Sequence, residues 1–469
     1  MYFLAGVLVI VLLPHSKSVV EAYKAAVLEY HPIVADTPRN TILWNLHEYK
    51  NYASKAKQQS ADIIVFPEYG LTGLVNNTKM YAVEVYEFSD VIIYLKGIAA
   101  EHQIYMVVNL LERAHKFCCD IPEYYSTTVV FDRSGTIVAR YRKINLFNEA
   151  ELTPGQRNQN NFFGTDFNVS FAILASHDVL FKYPSKGVQD VVCPTAWAST
   201  IPFYFSLSIQ RGYALSNDVT MLVAGFNQPW KSFSGTGIYL RDGGVAEAFY
   251  TDSATNRLIV REVPNIQTNA CVTDLKRISH YAMSSVNYVL QTDFHPSIYS
   301  ARGVNFANKS TTEKICDGDF CCTFHIATES TTSSLHKLMV YDGRIVYDRR
   351  SLHVQICGLV SCETDSVDSC GKRLDTSTEF TKISVRGNFS SKEISYLPLA
   401  LDYDLLPLDN IAYCQHNNTD FLSVELTATN QTKVFVFGFV GQVNCATSGQ
   451  RGHLFLLVLY LLTMLWGEF

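Results

Sequence analysis

Short runs of core-forming residues recur along the first half of the chain. Ala25–Leu28, Ile63–Phe66, Ile104–Leu110, Thr127–Phe131, Ile137–Tyr141, Val169–Leu174, Val191–Cys193 and Met221–Ala224 are dominated by Val, Ile, Leu, Ala and Phe, and read as strands. Between the first two, Ile42, Leu46, Tyr49, Ala53 and Ala56 recur at steps of four and three, which is one apolar face of an amphipathic helix. Ile92, Leu95 and Ala99 mark a second helix, and Phe203 to Leu215 a third. Strands alternating with helices predict an α/β layered domain. Asp132-Arg133-Ser134-Gly135 separates two strand-like runs and predicts a hairpin turn.

Beyond Ala301 the pattern changes. Ser and Thr rise, cysteines crowd in, and Lys337–Tyr341, His353–Cys357 and Val434–Phe439 read as strands without clear helices between them. A smaller β-rich domain is predicted, joined through a segment near Asp293–Lys309. The domain plan is therefore an α/β domain over 19–300 and a β-rich domain over 301–444.

The two ends read as addresses. Phe3 to Leu13 is a short apolar run followed by Pro14 and Ser16-Lys17-Ser18, the pattern of a secretory signal occupying residues 1–18, with a buried first strand as the alternative. Leu454 to Trp466 is a second apolar run, too short to span a bilayer, which takes about 20 residues. Small residues Ala446-Thr447-Ser448-Gly449 and a polar spacer precede it, so 445–469 reads as a signal for a glycosylphosphatidylinositol anchor attached at Asn444 or Ser448. The expected location is the extracellular face of the plasma membrane. Glycosylation sequons at Asn76, Asn168, Asn308, Asn388, Asn417 and Asn430 agree with export.

Composition narrows the partners. Of 469 residues, 48% are hydrophobic and 17% charged, which excludes a disordered chain. The formal net charge is −6, and no Lys/Arg cluster suits a nucleic-acid backbone. Nine of the 12 cysteines lie from Cys271 onward, as expected of disulfides in an oxidising compartment. A zinc site on Cys316, Cys321, Cys357 and Cys362 is the competing reading. Cys118 and Cys119 also read as disulfide partners, and Cys193 as a buried structural thiol.

Three segments carry candidate chemistry. In Phe66-Pro67-Glu68-Tyr69-Gly70 an acid follows a buried strand, at the carboxyl edge where α/β sites are built; a solvent-facing turn Glu is the alternative. In Arg140-Tyr141-Arg142-Lys143-Ile144-Asn145-Leu146-Phe147-Asn148-Glu149 the cations read either as a solvated strand edge or as a buried Lys143 that needs a carboxylate partner. In Phe171-Ala172-Ile173-Leu174-Ala175-Ser176-His177-Asp178 a hydrophobic strand runs into a turn that would expose a nucleophile. Consecutive Ser176, His177 and Asp178 cannot form a triad by themselves, because adjacent side chains point apart. Leu174 and Asp178 stand where a Gly-x-Ser-x-Gly elbow has glycines. No metal-binding His-Glu-x-x-His, phosphate loop or dinucleotide fingerprint is present, so no metal or cofactor is expected.

In order and spacing these segments resemble the nitrilase superfamily, specifically its vanin/biotinidase branch. Glu68, Lys143 and the Ser176 turn match the family's Glu-Lys-Cys set, and Glu149 matches its second glutamate. Pro194-Thr195-Ala196-Trp197 matches after the next strand, and Cys316 to Cys322, Gln355-Ile356-Cys357, Cys362 and Cys370-Gly371 match the vanin base domain. The resemblance implies an α-β-β-α sandwich plus a β-rich, disulfide-stapled base domain, hydrolysing linear amides such as pantetheine or biotin amides without a cofactor. It implies Glu68 as proton acceptor, Lys143 on the oxyanion, Glu149 in support, and the nucleophile at 176. This chain departs there, with Ser176 where the family has Cys. Two functions follow as expectations: an amide hydrolase working through Ser176, or a non-catalytic relative that binds a ligand or partner at the cell surface.

Overall fold

The computed structural model describes residues 22–443 apart from 117–118, 182–186, 267–270, 273–280, 284–294, 305–308, 330–334, 348–349, 375–377, 390–393 and 418–420. The two terminal signals lie outside the described residues, as do Cys118, Asn308, Asn444, Ser448 and parts of the 293–309 segment.

The first half folds as two facing sheets between helices. Strand β1 (Tyr23–Glu29) leads into helix α1 (Pro38–Gln58), then β2 (Ile63–Val65), α2 (Asp90–His102), β3 (Tyr105–Lys116), β4 (Cys119–Phe131) and β5 (Ile137–Arg142). The second sheet holds β6 (Phe162–Gly164), β7 (Ser170–Ile173), β8 (Asp190–Thr195), then helix α3 (Ser206–Asn217), β9 (Thr220–Gly225), β10 (Thr236–Tyr239) and β11 (Val245–Tyr250). The chain returns to the first sheet with β12 (Arg257–Val263), which pairs antiparallel with β1. In each sheet three neighbouring strands are parallel, β1-β2-β3 and β7-β8-β9, so their carboxyl ends share an edge.

Alternation along the central strands explains the layering. Ala26, Leu28, Ile64, Met106 and Val108 face α1 and α2, packing on Ile42, Leu46, Tyr49, Ala53 and Ala56. Their sequence neighbours Val27, Ile63, Val65 and Val107 face the other sheet and meet Ile173, Val192 and Leu222. A strand buried on both faces reads as a continuous hydrophobic run, which is why these segments stand out in the sequence. Helix α1 starts where Thr37 accepts the Asn40 N–H and Pro38 pre-sets the first turn, and it ends beside Lys55 and Lys57. At the 132–135 turn Asp132 Oδ1 accepts the Ser134 and Thr136 N–H groups, and Gly135 has φ +81°. A Cβ at Gly135 would stand 2.4 Å from the Lys96 carbonyl oxygen, so glycine is required there.

The second half is a sandwich of two antiparallel sheets. One contains Ser310–Asp317, Phe320–Thr328, Glu379–Phe389, Leu422–Thr432 and Ile411–Asn417, and Cys271–Val272 joins its edge. The other contains Ser300–Gly303, Leu335–Tyr347, Arg350–Cys362, Val434–Val443 and Ile394–Asp402. Disulfides Cys316–Cys321, Cys322–Cys357, Cys362–Cys370 and Cys271–Cys414 staple it. Cys316, Cys321, Cys357 and Cys362 thus belong to three different bridges, and the zinc reading falls. Helix α3 packs between the sandwiches: Arg211 donates to the carbonyls of Gly243 and Leu408, and one core joins Leu207, Ile209 and Tyr213 to Leu397, Leu399 and Val354. The architecture is the four-layer α-β-β-α sandwich with a β-rich, disulfide-bearing partner.

Candidate active site

Three strand ends deliver the site. The backbone leaves β2 through Phe66, whose N–H is held by the Val107 carbonyl, and turns at Pro67-Glu68-Tyr69-Gly70. Gly70 lies against α1, where any Cβ would stand 2.1 Å from the Tyr49 hydroxyl, so the turn seats only with glycine at this position. Tyr69 has φ +59°, and its N–H is accepted by Asn109 Oδ1 at 3.3 Å. Glu68 is fully buried, with Oε1 receiving the Ser126 hydroxyl at 2.7 Å.

Lys143 follows the last residue of β5 and is 2% exposed. Its Nζ lies 3.0 Å and 3.3 Å from the two oxygens of Glu68, and 2.8 Å from Glu149 Oε1. Glu149 also accepts the Tyr69 hydroxyl and, at 2.9 Å, the Phe147 N–H. The acid at 68, the ammonium at 143 and the acid at 149 therefore form one buried network, and none of the three is a solvated edge.

Ser176 opens a 3-10 turn (Ser176–Leu180) two residues beyond the neighbour of β7, with φ +42°. A left-handed serine is unusual and marks a tightly determined turn. Its hydroxyl donates to Glu68 Oε2 and accepts the Ala196 N–H at 2.7 Å, with Thr195 Oγ1 3.4 Å away. The Pro194-Thr195-Ala196-Trp197 segment thus supplies a backbone donor to the Ser176 oxygen.

Asp178 and His177 serve the turn in ways the sequence did not disclose. Asp178 is fully buried. Its Oδ1 accepts the N–H and side-chain amide of Asn145 at 3.0 Å and 2.8 Å; its Oδ2 accepts the Tyr141 hydroxyl at 2.7 Å and the Ala175 N–H at 3.1 Å. One carboxylate thereby locks the Ser176 turn to the segment carrying Lys143. The His177 ring stacks between Phe147 and Trp197, with centroids 4.1 Å and 4.6 Å away. The residue spacing alone held no signal for this clamp, since its partners lie 33 and 37 positions apart. Cys193 is a free thiol, 2% exposed in the core under the turn. Burial, reinforced by the charges of Asp178 and Glu68, pushes its pKa up, so it stays a protonated structural thiol.

Electrostatics follow from burial around one cation. Desolvation raises the Glu68 carboxyl above its ordinary value; the Lys143 charge opposes this, and the Glu149 charge adds to it. For Lys143, burial favours the neutral amine, but the Glu149 and Glu68 carboxylates outweigh it and hold the pKa above that of an ordinary lysine. Burial and the same two carboxylates keep Tyr69 a neutral phenol. The result is a fixed cation, a carboxylate of raised basicity and a hydroxyl hydrogen-bonded to it. Lys143, Glu149, His177 and Ala196 line a cleft of about 910 Å³, and Glu68 and Ser176 are buried behind that lining, bonded to Lys143 and Ala196. Such a set has the chemistry for attack on a carbonyl, a carboxylate within reach of the hydroxyl proton and a cation beside it.

Residues 24–184 match the carbon-nitrogen hydrolase family and residues 288–445 match the vanin C-terminal domain. The chain is 29% identical to vanin-like protein 1 of Drosophila melanogaster over 445 residues, covering 82% of this chain and 78% of that one. It is 26% identical to biotinidase of Takifugu rubripes over 445 residues, covering 82% and 88%, and 28% identical to human pantetheinase over 338 residues, covering 67% and 64%. Among solved structures, an amidase from Nesterenkonia sp. aligns with a TM-score of 0.42 and 20% identity, over 52% of this chain and 91% of that one.

Proposed function

As this chain belongs to the vanin/biotinidase branch of the carbon-nitrogen hydrolases, we propose that its cleft binds small linear amides and cleaves the C–N bond through Ser176, slowly. The observation that carries the proposal is the Ser176 hydroxyl donating to Glu68 while Glu68 contacts Lys143 at 3.0 Å. Glu68 takes the hydroxyl proton as Ser176 Oγ attacks the carbonyl carbon, and Lys143 stabilises the oxyanion. The C–N bond then breaks, Glu68 passes its proton to the departing amine, and an ester remains on Ser176. A water, deprotonated by Glu68, hydrolyses that ester and regenerates the hydroxyl.

Slowness is part of the proposal. A thiol of ordinary pKa about 8.5 is partly ionised at neutral pH and intrinsically nucleophilic, whereas a hydroxyl relies entirely on its base. The raised Glu68 carboxyl and the Ala196 N–H on Oγ both favour hydroxyl deprotonation, the first as a stronger base and the second by stabilising the alkoxide. Amine release from pantetheine-type amides by the natural protein, abolished in Ser176→Ala, is the expected result; release that persists in Ser176→Ala refutes it.

Ser176 in place of the family's thiol also favours a second reading, a pseudoenzyme that holds a ligand or partner in the same cleft at the cell surface. In that case Ser176→Cys gains turnover while the natural chain has none. Export, glycosylation and a lipid anchor complete the proposal. Their support is the two terminal apolar segments, the sequons, of which Asn76, Asn168, Asn388 and Asn430 are exposed, and the four disulfides. Mass determination of the mature protein from cells tests all three together.

A further inference from the structure

We infer that Lys231 is an anion-binding residue of the cleft, so that the preferred amide carries a negatively charged group such as a carboxylate away from the bond that breaks; this rests on the amide-binding reading above. Of the charged side chains lining the cleft, the others are already engaged. Lys143 and Glu149 are bound to each other at 2.8 Å, and Glu151 accepts the Thr78 N–H at 2.8 Å and the Thr78 hydroxyl at 2.5 Å. Lys231, exposed at the wall beside Ala198 and Phe233, forms no ion pair among the described residues. A cation with three donors and no carboxylate partner, facing into a cleft, matches an anionic group on the ligand.

The backbone that presents it is fixed from below. Lys231 closes the 3-10 turn Pro229–Lys231, and Ser232 follows at φ +64°. The Lys231 N–H is held by the Gln228 carbonyl at 2.9 Å, and the Ser232 carbonyl accepts the Ser199 N–H at 2.9 Å. Both flanks of this loop converge on Glu29, fully buried at the end of β1. That carboxylate accepts the Asn227 amide at 2.9 Å, the Ser234 hydroxyl at 2.6 Å and the Gly235 N–H at 3.2 Å. A buried acid with this many donors, and no cation among its hydrogen-bond partners within the described residues, holds the loop in one place. The Lys231 ammonium thus hangs from a rigid rim, which reduces the ordering cost of using it.

The test uses two matched pairs of coumarinyl amides on the full mature protein. In the first pair the acyl end carries either a carboxylate or its carboxamide; in the second the amine part carries the same alternatives. Binding is read calorimetrically as Kd, so the outcome does not depend on turnover. The expected result is tighter binding of the carboxylate member in at least one pair, by about 3- to 10-fold at low salt. That ratio falls toward one in about 1 M salt, where the Debye length is about 3 Å, and in Lys231→Met, and drops below one in Lys231→Glu. Equal binding within both pairs, or a preference unaltered in Lys231→Met, overturns the role of Lys231 while leaving the amide reading standing. Failure of all four amides to bind overturns both.

Discussion

Lys143→Met asks how much the buried ion network contributes. Methionine replaces the stem at similar length but removes the charge from a residue 2% exposed that touches Glu68 at 3.0 Å and Glu149 at 2.8 Å. At an effective dielectric of about 20, each contact at about 3 Å corresponds to an attraction of about 5–6 kcal/mol. Desolvation of the ammonium offsets much of this, so the net loss follows the usual cost of stranding buried charges, about 3–5 kcal/mol. The sign of the pH dependence is specific. With the ammonium gone, burial leaves the Glu68 carboxyl favouring protonation, so the loss is largest near pH 8 and shrinks as the pH falls toward about 5. Urea denaturation followed by circular dichroism at several pH values measures both features. A loss below about 1 kcal/mol, or one that does not change with pH, would refute the claim that this cation compensates both acids.

Three other outcomes follow from the same geometry. Because burial raises the Glu68 carboxyl, the acid limb of kcat/KM should fall above the ordinary glutamate value of about 4.3, activity declining as Glu68 is protonated; a profile flat down to about pH 4 contradicts its role as base. Asp178→Asn turns one acceptor oxygen into a donor against the N–H groups of Asn145 or Ala175, and should cost about 1–3 kcal/mol of stability with a larger fractional loss of turnover, checked by denaturation and amine release on the same sample. Burial lifts the Glu29 pKa from 4.5 to about 7 despite its donors. Its contribution is therefore present below about 4.5 and is lost as the pH rises through about 7, a swing of about 3 kcal/mol that the difference between the natural protein and Glu29→Gln should trace.

What the sequence disclosed depended on how local the physics was. Strands buried on both faces, such as Ile63–Val65 and Thr220–Gly225, announce themselves as unbroken apolar runs, and the single buried face of α1 reads directly as its four-three spacing. The 132–135 turn is equally local, since Asp132 bonds its own neighbours. Glu68, Lys143, Glu149 and Ser176 were legible as motifs at strand ends, but nothing in their spacing states that they touch. That depends on β2, β5 and β7 ending at one edge of facing sheets. Asp178 and Glu29 were opaque for the same reason carried further: their partners come from elsewhere in the fold, Asn227 being 198 residues from Glu29. Cysteine pairing was likewise undetermined, because register across strands decides it, as where Cys316 faces Cys321 in a hairpin. Strand β12 escaped notice because Arg257, Arg261 and Glu262 interrupt its apolar residues at the sheet edge, where Arg257 and Arg261 pair with Glu247.

Transfer of the acyl group to the Ser176 oxygen is read directly by intact-protein and peptide mass spectrometry, after reaction with an activated small-molecule amide and quenching in acid. The expected result is one acyl mass added on the peptide bearing Ser176, accumulating in the natural protein and missing from Ser176→Ala. Acylation at another residue, or equal labelling of both proteins, would contradict it.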